Sequence, residues 1–260
     1  MEIKKLNASR GWIWIKQGYQ LIMCNPLLSI TTALIAALII FLALLVPLIG
    51  PMLAVMLMPV LLAGYMRICR ALEENEEVEL THLFSGFKQH AASLVALGAF
   101  LMLGLLFASA VMVYVGGEPF TKLMEEVHAT DNPQVLMDAI TTAGSGVAFA
   151  ILFGFTLVLL LVVAWQYAPI LVFFSGIPPL LALRASFTGT MRNILPYTVY
   201  SLIMQLIALM LGILPFGLGM ILLLPLGLTS LYVSYRNIFP WLDKPQAAPA
   251  ATEGNPEGGN

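Results

Sequence analysis

Long uninterrupted apolar segments are the feature that most limits how this chain can fold. A helix needs about 20 predominantly apolar residues to cross the hydrocarbon core of a bilayer, which is about 30 Å thick. Six segments come close to or exceed that length: residues 27–47, 51–67, 91–115, 147–174, 195–214 and 217–235. The sequence therefore predicts an all-α fold, a polytopic transmembrane helical bundle with six spans. The fourth span is long enough to tilt or bend, and Pro169 supplies a bend point.

Composition excludes a water-soluble globule. Asp, Glu, Lys and Arg make up 10% of the residues, whereas about a quarter is usual for a soluble domain. Hydrophobic residues make up 60%, which leaves too few polar side chains to cover a core of that proportion. The net charge of −2, without a large cluster of Lys and Arg, gives no electrostatic footprint for nucleic acid. We expect membrane lipids, and no nucleic acid, as partners.

The distribution of basic residues predicts the orientation of the spans, because Lys and Arg resist translocation across the membrane. With the N-terminus in the cytoplasm, only Lys122 falls on the outer side. The cytoplasmic side then holds Lys4, Lys5, Arg10, Lys16, Arg67, Arg70, Lys88, Arg184, Arg192, Arg236 and Lys244. This asymmetry predicts an even number of spans, with the N-terminus and the C-terminus both cytoplasmic.

The domain organisation follows from the spacing of the spans. Residues 1–244 form a single transmembrane domain, and the Pro, Ala, Gly, Asn and Glu composition of residues 245–260 predicts a disordered cytoplasmic tail. The long outer loop, residues 116–146, is expected to hold two short amphipathic helices that begin near Pro119 and Pro133. Two tight apolar links, residues 47–51 and 215–219, should join antiparallel neighbours.

The two ends of the chain resemble each other. In both, a proline opens one span and an arginine closes the next, and the spacings from Pro26 to Arg67 and from Pro196 to Arg236 agree within one residue. This agreement predicts that the terminal hairpins, about 9–70 and 179–239, form an internal parallel repeat. The two copies would be related by an axis along the membrane normal.

A glycine-containing segment precedes each predicted hairpin. These segments are Lys16-Gln17-Gly18-Tyr19, Phe84-Ser85-Gly86-Phe87-Lys88 and Phe187-Thr188-Gly189-Thr190. The chain is thus expected to form three hairpins, each entered by a cytoplasmic interfacial helix. Seven aromatic residues fall near the same boundary and are predicted to anchor it in the headgroup zone: Trp12, Trp14, Tyr19, Tyr65, Tyr232, Tyr235 and Trp241.

Candidate chemistry inside the spans is sparse. No charged residue lies well inside a predicted span, which argues against an ion-coupled pump or a voltage sensor. The strongest polar groups within the spans are Gln166, Gln205, Ser201, Thr31 and Thr32. We interpret them as partners in interhelical hydrogen bonds, with a lining role in a transport path as the alternative.

Catalytic, cofactor-binding and metal-binding residues are all predicted to be absent. His82, His90 and His128 have no metal-ligand spacing, and no nucleophile or phosphate-loop motif occurs. The two cysteines, Cys24 and Cys69, are interpreted as buried and structural, in a reducing compartment.

Two further patterns bear on partners. The acidic run Glu73, Glu74, Glu76, Glu77 and Glu79 is interpreted as solvated, with a docking or cation site as the alternative. Small residues at four-residue spacing allow helices to approach closely: Ala33/Ala37, Ala92/Ala96, Gly104/Ala108 and Ala150/Gly154. They fit packing within a monomer, or alternatively contact with a second copy or another membrane protein.

A family resemblance is carried mainly by motifs between Trp165 and Phe239. These motifs are Ala168-Pro169, Ile177-Pro178-Pro179, Ala182-Leu183-Arg184-Ala185-Ser186-Phe187, Arg192-Asn193-Ile194-Leu195-Pro196, Leu214-Pro215-Phe216-Gly217-Leu218-Gly219 and Ser230-Leu231-Tyr232-Val233-Ser234-Tyr235-Arg236-Asn237-Ile238-Phe239, with Leu83-Phe84-Ser85-Gly86-Phe87 earlier in the chain. Together they resemble a family of proteobacterial six-span integral membrane proteins with no assigned activity. More distantly, the hairpin plan resembles the membrane domain of some glycerophosphodiester phosphodiesterases. The resemblance implies a bacterial inner-membrane location and transfers no activity.

Two functional hypotheses follow. The leading one is a non-enzymatic scaffold or envelope-maintenance protein, because neither catalytic groups nor buried charges are found. The alternative is a carrier or flippase-like protein for an apolar or lipidic substrate, suggested by the repeat and by two proline-interrupted spans. That alternative predicts a cavity between the terminal hairpins, reaching the ends marked by Tyr65/Arg67 and Tyr235/Arg236. A membrane enzyme would require converging His, Asp or Glu side chains.

Overall fold

The computed structural model describes residues 3–129, 132–142, 144–213 and 218–239. Within these ranges the regular structure is entirely helical, which confirms the all-α class. Eleven α-helices run in chain order: α1 Arg10–Cys24, α2 Pro26–Leu44, α3 Gly50–Glu73, α4 Ser85–Lys88, α5 Ala91–Ala129, α6 Pro133–Thr142, α7 Gly144–Trp165, α8 Ala168–Ser175, α9 Pro179–Arg192, α10 Ile194–Gly212 and α11 Leu218–Ile238, with a 3-10 helix Leu80–Phe84 before α4.

Five helical segments in the described ranges are long and apolar enough to cross a membrane. They are Pro26–Leu44, Gly50–Glu73, Ala91–Ala129, Gly144–Ser175 and Ile194–Gly212, and they match the first five predicted spans. The sixth predicted span, 217–235, overlaps α11, so the count of six stays a prediction. Neighbouring residues determine where α2 begins. Pro26 occupies its first turn, and the Asn25 side chain accepts a hydrogen bond from the Leu28 amide at 3.2 Å.

The loop between the third and fourth predicted spans is largely helical. Its first predicted helix continues α5 beyond a break at Gly117, whose φ of 59° and ψ of −153° suit a residue without a β-carbon. Phe120 and Leu123 of this extension pack against Val147 at the start of α7. The second predicted helix is α6, although the side chains of Leu136, Ala139 and Ile140 lie outside the described residues. A helix therefore follows each of the two prolines, as predicted: one after the kink at Gly117 and one, α6, from Pro133.

A hydroxyl group interrupts the fourth predicted span just before Pro169, where the sequence predicted a bend. The Ser186 hydroxyl of α9 donates to the Val163 carbonyl at 3.0 Å and accepts from the Tyr167 amide at 3.2 Å. These two backbone groups would normally bond each other within one helix. The side chain thus takes the place of a helical hydrogen bond, which separates α7 from α8.

Each segment that precedes a hairpin packs against a different hairpin. Helix α1 crosses α10 and α11, the Leu80–Lys88 segment lies on α3, and α9 lies on α7 and α8. The crossings are close, since Gly18 abuts Ser230 and Gly86 abuts the Val60 carbonyl. These contacts tie the first and third hairpins together through helices distant in sequence.

The densest packing lies at one end of the bundle, here called the basic end because it contains Arg67, Arg70, Arg192 and Arg236. Its core includes Tyr65, Met66, Tyr167, Tyr235 and Phe239, all at most 1% exposed. Away from this end, many large apolar side chains are exposed, as expected for a surface solvated by lipid.

Several predictions fall outside the described residues. These are the disordered tail 245–260, the aromatic anchor Trp241, the cytoplasmic basic residue Lys244, and residues 215–217 of the second tight link. The first tight link is seen: α2 ends at Leu44 and α3 begins at Gly50, which abuts the Leu44 carbonyl. The single-domain boundary at residue 244 and the parallel repeat stay predictions.

Candidate functional site

An apolar groove of about 490 Å³ opens between α2, α3 and α11, which belong to the two terminal hairpins. It lies between the terminal hairpins, as the carrier hypothesis predicted, and it reaches Tyr65, whereas Arg67, Tyr235 and Arg236 are not among its described lining residues. The lining residues are Ala33, Ala36, Ala37, Ile40, Phe41 and Leu44 of α2, Met58, Leu61, Leu62 and Tyr65 of α3, Trp165 of α7, and Leu224, Leu228 and Leu231 of α11. We call this cavity the hairpin groove.

Small residues on α2 leave room for the hairpin groove. Ala33, Ala36 and Ala37 recur at helical spacing, so their methyl groups form one wall of the hairpin groove opposite the leucines of α11. The sequence pattern Ala33/Ala37 predicted close helix packing, but in the structure this face of α2 borders a cavity. Two spans interrupted by proline supply the other walls, because Met58 precedes Pro59 and Leu224 precedes Pro225.

Two of the three aromatic residues of the hairpin groove carry a polar atom, and both turn it away to protein partners. The Tyr65 hydroxyl donates to the Ser29 carbonyl at 3.3 Å, and the Trp165 indole N–H donates to the Leu97 carbonyl at 3.2 Å. Apart from the Tyr65 hydroxyl, no ionisable side chain is among the described lining residues. The groove therefore presents hydrocarbon surface and suits an acyl chain or another apolar ligand.

A second cavity, of about 360 Å³, lies further along the seam between α3 and α11 and is polar. On α11 the two linings meet, since Leu231 borders the hairpin groove and Tyr232 borders the polar cavity. Gln17, Gln20 and Cys24 of α1 line the polar cavity together with Leu72, Glu73, Asn75, Tyr232, Val233 and Arg236. Glu73 at the end of α3 pairs with Arg236, and it accepts a hydrogen bond from the Tyr232 hydroxyl at 2.8 Å.

The acidic run is exposed at four of its five residues, as the solvated interpretation predicted, and three of its glutamates also pair with arginines. Glu74 pairs with Arg70 at 2.9 Å and Glu76 with Arg67 at 2.7 Å, in addition to the pairing of Glu73. The Arg67 guanidinium beside Glu76 holds the pKa of that carboxyl below its ordinary value. Arg70 also stands over the Phe174 ring, 5.3 Å from its centroid, so the run fastens the end of α3 to its neighbours.

The predicted intramembrane hydrogen bonds are found for one residue of the five. The Gln166 amide donates to the Thr190 hydroxyl of α9 at 2.6 Å, an interhelical bond. Thr31, Thr32 and Ser201 instead donate to carbonyls of their own helices, because that acceptor lies one turn back and costs no rearrangement. The interhelical assignment was wrong for those three, and none of the five lines the hairpin groove.

The remaining residues considered from the sequence do not converge. Among the described residues no group of three or more His, Cys, Asp or Glu could hold a metal ion. Cys69 is buried as predicted, whereas Cys24 is exposed, so its buried assignment was wrong. The anchoring role was also wrong for Trp14, Tyr65, Tyr232 and Tyr235, which are at most 3% exposed and so face protein, while Trp12 and Tyr19 are exposed.

Comparison with known proteins points to a membrane protein, as the apolar helices do. The chain is similar to a probable inner membrane protein of Burkholderia thailandensis, with 27% identity over 223 residues that cover 84% of this chain and 80% of that protein. The chain is a multi-pass inner-membrane protein. No protein-family model and no solved structure matches this inner-membrane protein. Its class therefore rests on the relative and on the five apolar helices together.

Proposed function

We propose that this inner-membrane protein is a carrier for a lipidic substrate, whose acyl chain it binds in the hairpin groove. The observation that carries the proposal is the groove itself, an apolar cavity of about 490 Å³ between the two terminal hairpins. Its volume lies within the range of about 300–1,000 Å³ that is usual for small-molecule sites.

The physics of a membrane site limits what the groove can do alone. An acyl chain leaves one hydrocarbon environment for another when it enters, so the hydrophobic effect gives almost no net gain. Selective binding must come from shape and from polar contacts at one end. The polar cavity beside Glu73 and Arg236, on the same seam, supplies hydrogen-bonding and charged groups for the polar part of such a substrate.

The same lining supports a non-enzymatic role. A general acid or base needs an ionisable side chain within hydrogen-bond reach of the reacting atoms. The described lining offers hydrocarbon and two aromatic rings whose polar atoms are already bonded elsewhere. We therefore infer binding and movement of an intact lipidic molecule.

A scaffold role is the second candidate, and the dense basic end favours it. Buried side-chain bonds such as Gln166 to Thr190 and Tyr167 to Ser234, at 2.6 and 2.9 Å, tie the turn between α7 and α8 to α9 and α11. A scaffold needs rigidity at such a surface and needs no ligand. The two functions therefore differ in whether filling the groove has any consequence for bound lipid.

We also infer that both chain ends of this protein are cytoplasmic. The basic end holds four arginines and the segment that carries Lys4 and Lys5, whereas Lys122 lies in the distant extension of α5. This separation supports the orientation given by the positive-inside rule.

The discriminating experiment compares lipids that co-purify with the intact chain and with two variants. Ala37→Trp fills the hairpin groove, and Ala110→Trp places the same side chain on the exposed surface of α5, away from it. We expect mass spectrometry to find one lipid species enriched over the membrane extract in the wild-type and Ala110→Trp proteins, and not in Ala37→Trp. Bulk lipid composition in the wild type, or an Ala37→Trp protein that keeps every lipid species enriched in the wild type, would leave the scaffold.

A further inference from the structure

The N-terminal segment before α1, residues 3–7, is fastened to the basic end by one buried side chain. Asn193, 1% exposed between α9 and α10, accepts from the Leu6 amide at 2.8 Å and donates to the Lys4 carbonyl at 2.9 Å. The Lys4 amide donates to the Ile238 carbonyl at 3.2 Å. With the backbone bonded on both sides of Lys5, that residue is held at a defined place beside the end of α9.

A cavity of about 530 Å³ lies between this segment and the start of α10. Its lining is divided, because Lys5 and Arg192 supply charge and Ile194, Leu195 and Pro196 supply hydrocarbon. Ile194 and Leu195 are 52% and 67% exposed, and they begin a helix that is long and apolar enough to span the membrane. The cavity therefore stands where a span begins, at the depth of lipid phosphates.

The two cations of this cavity lack acidic partners in the described structure. No described carboxylate lies within ion-pair distance of Lys5 or Arg192, whereas Arg67 and Arg236, at the same end of the bundle, are each paired with a glutamate. Two neighbouring positive charges repel each other, so an anion bound between them would be favoured electrostatically. The pair is thus available for a ligand that carries negative charge.

We propose that this cavity binds the phosphate of an anionic phospholipid, separately from the hairpin groove. Arg192 presents a planar fork of donors that suits two phosphate oxygens, and Lys5 adds a point charge. The acyl chains of the lipid lie along Ile194 and Leu195 and continue down the exposed face of α10. Basic pockets at the end of membrane spans are a recurrent form of anionic-lipid site.

The test uses native mass spectrometry of the full chain in detergent, titrated with phosphatidylglycerol or with phosphatidylcholine of the same acyl composition. We expect the wild type to bind phosphatidylglycerol more tightly. In the double variant Lys5→Gln/Arg192→Gln that affinity falls roughly 30-fold, because each basic residue near an anionic lipid contributes a factor of about five. Affinity for phosphatidylcholine stays within about twofold.

The matched control is Lys88→Gln/Arg184→Gln, which removes one exposed lysine and one exposed arginine from α4 and α9, outside the cavity lining. It keeps the preference for phosphatidylglycerol, and an equal loss in this control would overturn a localised site. Inorganic phosphate in excess shares the charge but lacks the acyl chains, so it should not displace the lipid. Displacement by phosphate would mean a general anion site and would overturn the lipid assignment.

Failure of this inference is separable from failure of the proposed carrier function. The groove variant Ala37→Trp changes a wall of α2 that is not part of the Lys5/Arg192 cavity, so it should keep the preference for phosphatidylglycerol. A wild type without any such preference would overturn the headgroup site and leave the groove proposal untouched.

Discussion

Gly18 and Ser230 are in contact where α1 crosses α11, so close that a β-carbon on Gly18 would stand 2.6 Å from the Ser230 hydroxyl oxygen. Gly86 makes a comparable contact with the backbone of Val60 in α3. Val60 and Ser230 each stand five residues before a buried tyrosine, Tyr65 and Tyr235. The segments that enter the first and second hairpins thus use glycine at equivalent crossing points on the two terminal hairpins.

The crossing at Gly86 gives a prediction about stability. Gly86→Ala places a methyl group against the Val60 carbonyl, and overpacking of this kind costs about 1–3 kcal/mol. We expect a lower melting temperature in detergent, with unfolding monitored by tryptophan fluorescence. Gly227→Ala is the control, because no atom lies within 4 Å of its added β-carbon and alanine favours a helix. Equal melting temperatures for the two variants would contradict a close crossing.

The Ser186 hydroxyl leads to a second prediction. Ser186→Ala leaves the Tyr167 amide and the Val163 carbonyl without this partner in a buried place, which costs about 1–3 kcal/mol. Thr188→Ala on the same helix removes a hydroxyl that bonds only the Arg184 carbonyl of its own helix and is exposed. We expect destabilisation for Ser186→Ala alone. If both variants melt like the wild type, the hydroxyl does not replace a helical bond.

The ion pair between Glu73 and Arg236 can be measured by a double-mutant cycle with Glu73→Gln and Arg236→Gln. Both side chains are about one-third exposed, so we expect a coupling of at most about 1 kcal/mol, weaker at high salt. The more exposed pair Lys122 and Glu118 serves as the comparison and should couple more weakly. Denaturant titration in detergent gives both values, and zero coupling for the first pair would refute its role in joining α3 to α11.

Asn193 is expected to control the N-terminal segment. Asn193→Ala removes the bonds to Lys4 and Leu6, so residues 3–7 should detach and be cleaved faster by a protease. The control Thr198→Ala removes a hydroxyl that bonds only the Ile194 carbonyl of its own helix. Cleavage is followed by mass spectrometry. An unchanged rate in Asn193→Ala would mean that other contacts hold the segment.

Orientation in the membrane is tested by labelling with a thiol reagent that does not cross the membrane. In a chain with Cys24 and Cys69 replaced by serine, a cysteine at Lys122 should react in intact cells, and one at Arg184 should react only after lysis. Reaction of both positions in intact cells, or of Arg184 alone, would contradict cytoplasmic chain ends. Fusions of a reporter to the two termini provide an independent measurement.

The helices themselves could be predicted because their determinants are local. Five apolar segments of sufficient length became apolar helices at the predicted places, and Asn25-Pro26 marked the start of α2. The break before Pro169 was also visible, since proline lacks an amide hydrogen. The Ser186 hydroxyl bonds the backbone at that break, and this role could not be predicted because serine occurs in many helices.

The candidate site was predictable only in outline. A cavity between the terminal hairpins followed from the repeat, but the same Ala33/Ala37 pattern could equally indicate tight packing. A small-residue pattern describes one helix surface, and whether another helix fills it depends on how far away that helix lies. The pairing of Glu73 with Arg236 could not be predicted either, because the two residues are distant in sequence.

The sequence by itself determined that this protein is a set of helices embedded in a bilayer, with most of its cations near one end. The length of an apolar segment and the charges beside it are local properties of the chain. They decide directly which segments lie in the membrane. Tertiary structure decided which helix lies beside which, and with it the hairpin groove, the pairing of Glu73 with Arg236 and the bonding of Asn193 to Lys4 and Leu6 on either side of Lys5. These depend on atoms that meet only after the hairpins pack.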